Sequence, residues 1–415
     1  MITYSIIKKS ELERAKRMDA EYYQPEYLDV EKKLNTIKTE PLENLAESIL
    51  SFGAYSLTSN IEWQKEGIPY VNVGDIHEGY IDYSSIKYIS EKVDKILHKS
   101  QLKEKDIVLT MAGTIGNVAV VHNIKHNHIN GNQAIAKIRP KKNISPYYLV
   151  AFLNSRYGQL QTLREVVSSV QANIFLGPIK KLKISIFDEN ETKKISSLYL
   201  NFLSELERSK SFYKQAEDLL LENLGIRKDV EKYKSLYTIV NFSEIQKAKR
   251  MDAEYFQLGP FKFGELASVT DYHVKPLSEI IENVPAKFDP LKEPSKVFKY
   301  VELSNINSSI GTIDGFSEVL GKEAPGRAKR VLKKGDVVVS SVQGSLGKVA
   351  LVDKDQQGYL ASTGFFQFRS EEILPEVLLV LAKSIFIQSQ LKQRCSGTIL
   401  TAVPKESIKD IFVPV

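Results

Sequence analysis

Apolar positions fall into strand-like and helix-like spacings, and the same order of spacings occurs twice. The runs Asp106-IVLTMAG and Asp336-VVVSSVQG are β-branched and end in glycine, which predicts a strand and then a turn. GTIGNVAVV at 113–121 and GSLGKVALV at 344–352 continue as turn and returning strand, so each half holds a hairpin. IAKIR at 135–139 and FFQFR at 365–369 alternate as half-buried strands do. Helical spacing follows at 145–166 and 374–394. Each half closes on a proline-marked strand, Pro178-IKKLKISI and Pro404-KESIKDIFV. The expectation is an α+β fold: two similar domains, mostly β, with one or two helices each.

Between the halves the period changes. Residues 190–225 contain no proline and no internal glycine. Ile195, Leu198, Phe202, Leu206, Ser209, Tyr213, Ala216, Leu220 and Leu224 step by three and four, which is an a/d seam. Asp188 with Glu191 predicts a capping box, and Gly225 a helix stop. Such a helix runs about 50 Å at 1.5 Å per residue. A seam of this length calls for a partner helix.

The two halves are copies of one another. YVNVGDI (70–76) returns as YVELSNI (300–306), and the strand opening at Asp106 returns at the same shift of 230, its glycine turn and returning strand at 231. ISPYYLVAFLNS (144–155) echoes ILPEVLLVLAKS (373–384), shifted by 229. Most side chains differ, except in one place. AKRMDAEYYQ at 15–24 is spelled again as AKRMDAEYFQ at 248–257, nine letters of ten kept. Each copy precedes a domain. Either both copies touch something identical while the domains touch different things, or a duplication kept a structural join. The expected division is an N-terminal segment (1–40), a first domain (41–189), helix plus second segment (190–258), and a second domain (259–415).

Composition narrows the function classes. A length of 415 residues suits two domains. A formal charge of +6 suits a nucleic-acid partner without establishing one. The single cysteine, Cys395, excludes an internal disulfide and a cysteine-based zinc site within one chain. It points to a reducing, cytoplasmic setting. The N-terminus lacks the apolar core of a signal peptide. The apolar run 373–387 is too short to span a bilayer and carries Glu376 and Lys383, so it reads as a buried helix and no membrane partner is expected.

Catalytic chemistry is hard to find. There is no Asn/Asp-Pro-Pro-aromatic motif of adenine methyltransferases and no G-x(4)-G-K-[S/T] loop. Asp289-PLKEPSK resembles a nuclease set only faintly, because its prolines break the strand such sites need. His122, His126 and His128 lack a nearby carboxylate in sequence, and Cys395 lacks a paired base. Gly113/Gly116 and Gly344/Gly347 read as tight turns rather than phosphate cradles. The expectation is no catalytic site, metal or cofactor on this chain.

Binding chemistry is better represented. Base edges are read by amides, hydroxyls and cations, and phosphates by Lys, Arg and backbone amides. Candidates in the first half are Tyr55, Ser56 and Thr58, then Asn130, Asn132 and Gln133, then Ser168, Ser169, Gln171 and Asn173. Those in the second half are Ser341, Gln343 and Ser345, then Ser396, Thr398 and Thr401. Lys329, Arg330, Lys333 and Lys334 form a basic run suited to phosphate. In the repeated segment, Arg17 with Asp19 and Arg250 with Asp252 either pair locally or face a partner. Tyr22, Tyr23, Tyr255 and Phe256 are candidate interface anchors.

Taken in order, these features resemble the specificity (S) subunit of type I restriction–modification systems. The features are the paired RMDAEY(Y/F)Q segments, two recognition-like domains with matching hairpins, and the long helix between. The resemblance implies a non-catalytic subunit that binds double-stranded DNA, each domain reading one half of a split target. It implies two methyltransferase (M) subunits docked through the repeated segments and methylating adenine N6, with restriction (R) subunits as further partners. S-adenosylmethionine would then sit on the M subunit. Such subunits usually carry a second long helix after the second domain. Here Val415 aligns by the repeat shift with about residue 187, so that helix is not expected within this sequence. Two other classes stay open: a coiled-coil scaffold, and a standalone nuclease or methyltransferase with an unrecognised site.

Overall fold

The computed structural model describes residues 4–51, 61–84, 86–167, 172–224, 239–256, 272–397 and 401–414. It divides into two compact units, Met1–Leu206 and Glu207–Val415.

In the first unit a four-stranded antiparallel sheet has the order Ala46–Ser51, Ile135–Pro140, Ile107–Thr110, Val118–Val120. All four residues of Ile107–Thr110 are buried. Successive strand side chains point to opposite faces. Ile107 and Leu109 join a core with Leu149, Leu153 and Ile184, while Val108 joins another with Val71, Ala119 and Ile129. Cover on both faces accounts for the unbroken apolar run. A smaller sheet, Lys87–Ile89, Ile68–Val71, Asn130–Gly131, includes one parallel pairing. Thr39–Pro41 pairs with Lys183–Ser185 and ties the start of the unit to its end.

The second unit repeats this plan. Its main sheet runs Glu282–Asn283, Phe365–Arg369, Val337–Ser340, Val349–Leu351. Val337 and Val339 face one core and Val338 the other. The smaller sheet gains a strand, in the order Ser317–Leu320, Val297–Val301, Leu360–Ser362, Ala328–Val331. Val274–Pro276 pairs with Phe412–Pro414 as the closing tie. The class is α+β, as the spacing predicts.

Each predicted helical segment is two helices. Pro146–Asn154 and Arg156–Arg164 break at Ser155; Pro375–Lys383 and Ile385–Gln393 break at Ser384. Both serines are extended, and each hydroxyl accepts an amide three residues on, from Gly158 and Ile387. The serine that ends one helix therefore caps the next. The single buried helix expected over 373–387 is corrected to a pair.

The linking helix is Glu189–Asn223, 35 residues, with Asp188 Oδ1 accepting the Glu191 amide at 2.9 Å. Its seam is divided between the units. In the first, Tyr199 and Leu203 are buried, Ile195 and Leu206 pack beside them, and the Tyr199 hydroxyl donates to the Gly79 carbonyl. In the second, Leu221 and Leu224 enter the core and Leu220 lies against it. Leu198, Phe212 and Leu219 remain exposed. No other helix among the described residues exceeds ten residues. The expected helix–helix seam is thus corrected in part, because the β units themselves bury several of its positions. Among the described residues no helix is long and apolar enough to cross a membrane.

Candidate nucleic-acid interface and docking segments

The repeated segment folds the same way twice. Helices Lys9–Ala15 and Phe242–Ala248 end on Lys16 and Lys249, both left-handed at φ 53° and 51°. Arg17 Nε and Nη2 then grip Asp19 at 2.8 and 2.5 Å. Arg250 grips Asp252 at 2.8 and 2.6 Å. The guanidinium holds each carboxyl below its ordinary value. The same guanidinium lies over the following tyrosine ring, at 4.6 Å for Tyr22 and 4.7 Å for Tyr255.

Each fork also reaches its own unit. Arg17 Nη2 donates to the Val166 carbonyl at 3.4 Å, and Arg250 Nη2 to the Cys395 carbonyl at 3.0 Å. The residue that ends the neighbouring helix returns a bond to the tyrosine carbonyl. Arg164 Nε reaches Tyr22 at 3.0 Å, and Gln393 Nε2 reaches Tyr255 at 2.9 Å. The Tyr22 hydroxyl donates to Glu165 at 3.2 Å, and burial beside that carboxylate pushes its pKa up to about 12. Tyr23 is buried and donates to the Arg17 carbonyl at 3.0 Å; Phe256 stands in its place without a hydroxyl. Tyr22 and Tyr23 meet edge to face at 5.0 Å, Tyr255 and Phe256 at 4.9 Å.

The Arg17–Asp19 and Arg250–Asp252 pairs, open in sequence between local pairing and a partner, pair locally; Tyr23 is buried in its own unit, and Tyr22, Tyr255 and Phe256 are half-covered. The positions between them face outward. Met18 is 88 % exposed and Met251 84 %. Lys16, Ala20, Lys249 and Ala253 are exposed beside them. The signal that sequence reading passed over is alternation: every second residue of K-R-M-D-A points away from the stitched side.

The carbonyls held by the arginines begin a short ladder. Val167 pairs with Asn173, which also bridges to Ala112 in the hairpin turn. Ser396 pairs with Ala402, which bridges to Val342 in the matching turn. Ile174 donates to the Met111 carbonyl at 3.0 Å, and Val403 to the Ser341 carbonyl at 2.8 Å. In each unit the hairpin turn thus comes together with the polar stretch after the second helix; that stretch is a predicted DNA reader in both units, the turn only in the second. Gly113, Gly116 and Gly344 have φ of 74°, 91° and 83°, the left-handed turn that glycine permits.

Single candidates fare differently. Gln343, Ser396 and Lys329 are exposed. Gln343 N donates to the Thr401 carbonyl at 2.9 Å, so those two positions adjoin. Ser345 Oγ bonds Ser340 Oγ and the Val342 carbonyl, both at 3.0 Å. Thr401 Oγ1 donates to the Gly397 carbonyl at 3.2 Å. Asn132 Oδ1 accepts the Ala134 amide at 2.8 Å, and Gln133 Oε1 of the side chain is buried without a protein partner. Asn173 lies in the ladder.

Three expectations are corrected. Asn130 is 0 % exposed, and Ser100, Asp94 and the Leu97 carbonyl engage its amide. Arg330 is 1 % exposed and donates to the Val284 carbonyl, and burial lowers its pKa to about 10. Ser341 Oγ is spent on the Gly364 carbonyl at 2.9 Å. Each lies on or beside a strand whose polar face is covered, which local sequence does not reveal. Tyr55, Ser56, Thr58, Ser168, Ser169, Gln171 and Thr398 lie outside the described residues.

The structure adds surface clusters absent from the sequence reading. Lys87 Nζ sits 4.8 Å over the ring of exposed Trp63. In the second unit Lys299 Nζ lies 4.6 Å from the Phe316 ring and 5.1 Å from that of Tyr359. Exposed aromatics beside cations suit stacking on bases. Among the described residues no group of three His, Cys, Asp or Glu converges as a metal site. His128 pairs with Asp94 at 2.9 Å and His122 with Glu104 at 3.2 Å instead.

The family model described as a type I restriction modification DNA specificity domain matches residues 35–212, which is the first unit's sheets and the start of the long helix. By that match, residues 35–212 are a type I restriction–modification DNA specificity domain. The EcoBI specificity subunit of Escherichia coli is 32 % identical over 106 residues, 25 % of this chain and 22 % of that one. The HindI specificity subunit of Haemophilus influenzae is 30 % identical over 115 residues, 27 % of this chain and 24 % of that one. The matched stretch thus spans less than a quarter of either relative. The solved HsdS subunit from Thermoanaerobacter tengcongensis is 35 % identical, covering 35 % of this chain and 37 % of that one, with a TM-score of 0.32. Beyond the first turns of the long helix, the second unit lies outside the matched residues and repeats the first within this chain.

Proposed function

We propose that this chain is the DNA-recognition subunit of a type I restriction–modification complex and reads a split target, one half with each unit. The observation that carries the reading is a contrast. The outward residues of the repeated segment are the same in both copies, Lys16-x-Met18-x-Ala20 and Lys249-x-Met251-x-Ala253, while the loops each copy supports differ in nearly every side chain. Identical outward faces suit two copies of one partner, and different loops suit two different half-sites. The link between protein pseudo-symmetry and half-site spacing is general for DNA-binding proteins.

In this reading the partners are two methyltransferase subunits, which bring S-adenosylmethionine and the catalytic groups and methylate adenine N6. Restriction subunits join that assembly. This chain contributes no reacting group. It places the duplex through exposed Lys329, Lys333 and Lys334 and selects bases through polar side chains such as Gln343, Ser396 and Thr401.

The test is co-expression with the methyltransferase subunit and genome-wide mapping of N6-methyladenine. A split motif is expected, with one half changing when residues 41–189 are replaced by another recognition domain. A stable complex that adds no methylation, or no complex at all, contradicts the proposal.

A further inference from the structure

The same chain of contacts occurs in both units, at a shift of 229 to 233 residues. An Arg–Asp fork in the repeated segment holds the carbonyl of the residue just before the ladder. The ladder in turn fixes the turn of the glycine hairpin. In the first unit the links are Arg17 to Val166, Val167 to Asn173 and Asn173 to Ala112. In the second they are Arg250 to Cys395, Ser396 to Ala402 and Ala402 to Val342. Side chains along the two routes differ, since Val166 stands where Cys395 does and Asn173 where Ala402 does. The contacts are retained because they run through backbone atoms and the fork alone. A bidentate guanidinium–carboxylate pair has one planar geometry, so it fixes the direction of the remaining Nη2 proton.

We infer that Arg17 and Arg250 are positioning residues for base selection, each bracing the recognition loops of its own unit and leaving the other unit's loops alone. This rests on the split-target reading above. It adds a role for the repeated segment that partner docking does not require: the residues facing a partner and the residues bracing the loops alternate along the same five positions. A partner seated on Met18 or Met251 therefore sits directly against the brace.

Cys395 gives a direct probe. It is the only cysteine in the chain, is 7 % exposed, and its carbonyl is the one that Arg250 holds. Labelling of native full-length protein with a thiol-reactive disulfide reads the opening of that backbone. Arg250→Lys keeps the charge and removes the fork. It is expected to speed labelling by about tenfold, the scale of losing one charge-assisted hydrogen bond. Arg17→Lys is expected to leave the rate unchanged. Methylation mapping of the same variants with the methyltransferase subunit should relax one half of the motif for Arg250→Lys and the opposite half for Arg17→Lys. Non-cognate bases in that half should gain about tenfold, the discrimination carried by one base pair.

Unchanged labelling in Arg250→Lys overturns the brace. So does an equal fall of methylation over both halves with the motif intact, which would make these arginines partner contacts or general stabilisers. Should the parent protein yield no split motif, the split-target reading falls, and labelling alone still decides whether the brace exists. Asp252→Asn, which loosens the fork and keeps the guanidinium, replaces Arg250→Lys if that variant does not fold.

Discussion

Arg369 closes on Asp336 with two parallel bonds, Nε to Oδ1 at 2.7 Å and Nη2 to Oδ2 at 3.0 Å, and that carboxylate is 0 % exposed. The same carboxylate accepts the Lys333 amide at 2.8 Å and Gln367 Nε2 at 2.6 Å. Arg139 and Asp106 form the matching pair in the first unit, at 2.7 and 2.6 Å. The aspartate that opens each predicted strand is thus a buried anchor.

Removing that anchor takes the acceptor from Arg369, from the Lys333 amide and from one proton of the buried Gln367 amide. Asp336→Ala is expected to destabilise the second unit by about 3 kcal/mol. Asp106→Ala should do the same to the first. Urea unfolding followed by near-ultraviolet circular dichroism checks this, and an unmoved midpoint would show that the pair is dispensable.

Met18 and Met251 should behave as surface residues toward folding and as anchors toward a partner. Each single Met→Asp variant is expected to keep its thermal midpoint and to bind one methyltransferase subunit in place of two. The double variant should bind none at concentrations that saturate the parent. Native mass spectrometry counts the subunits, and full occupancy in the double variant would remove these residues from the interface.

Gln343 is exposed and bonds its neighbour only through its backbone amide. Gln343→Ala should leave stability within about 0.5 kcal/mol and alter base preference in one half of the target. For the parent complex, log affinity should fall linearly with log salt. A titration against duplexes randomised in each half reads both effects. Equal loss on all duplexes would assign Gln343 to phosphate contact.

The carboxyls of Asp19 and Asp252 are held below their ordinary value of 3.8 by their arginines. A depressed folded-state value adds stability that is full above the ordinary value and is lost as pH falls through the lowered one. Amide exchange at 17–23 and 250–256, corrected for intrinsic rate, should therefore rise below about pH 4. Asp19→Asn and Asp252→Asn should show no such limb in their own segments. A limb that persists in the Asn variants would place its origin elsewhere.

Local spacing alone was enough for the strands, the hairpins, the start of the long helix and the twofold repeat. Those features depend on period and on glycine and serine placement, which act over a few residues. Asp106-IVLT and Asp336-VVVS read as strands from their β-branched runs, and apolar cores cover both faces of each. Tertiary structure alone decided the rest. It buried Asn130 and Arg330, both of which read as surface polar residues. It turned Arg17 inward and Met18 outward, against their usual preferences. It shared the helix seam between two β units. The reason is common to all of these: which side of a strand or segment is covered depends on elements distant in sequence, such as Val166 against Arg17 across 149 positions. Residue type and spacing carry no record of that cover until the chain has packed.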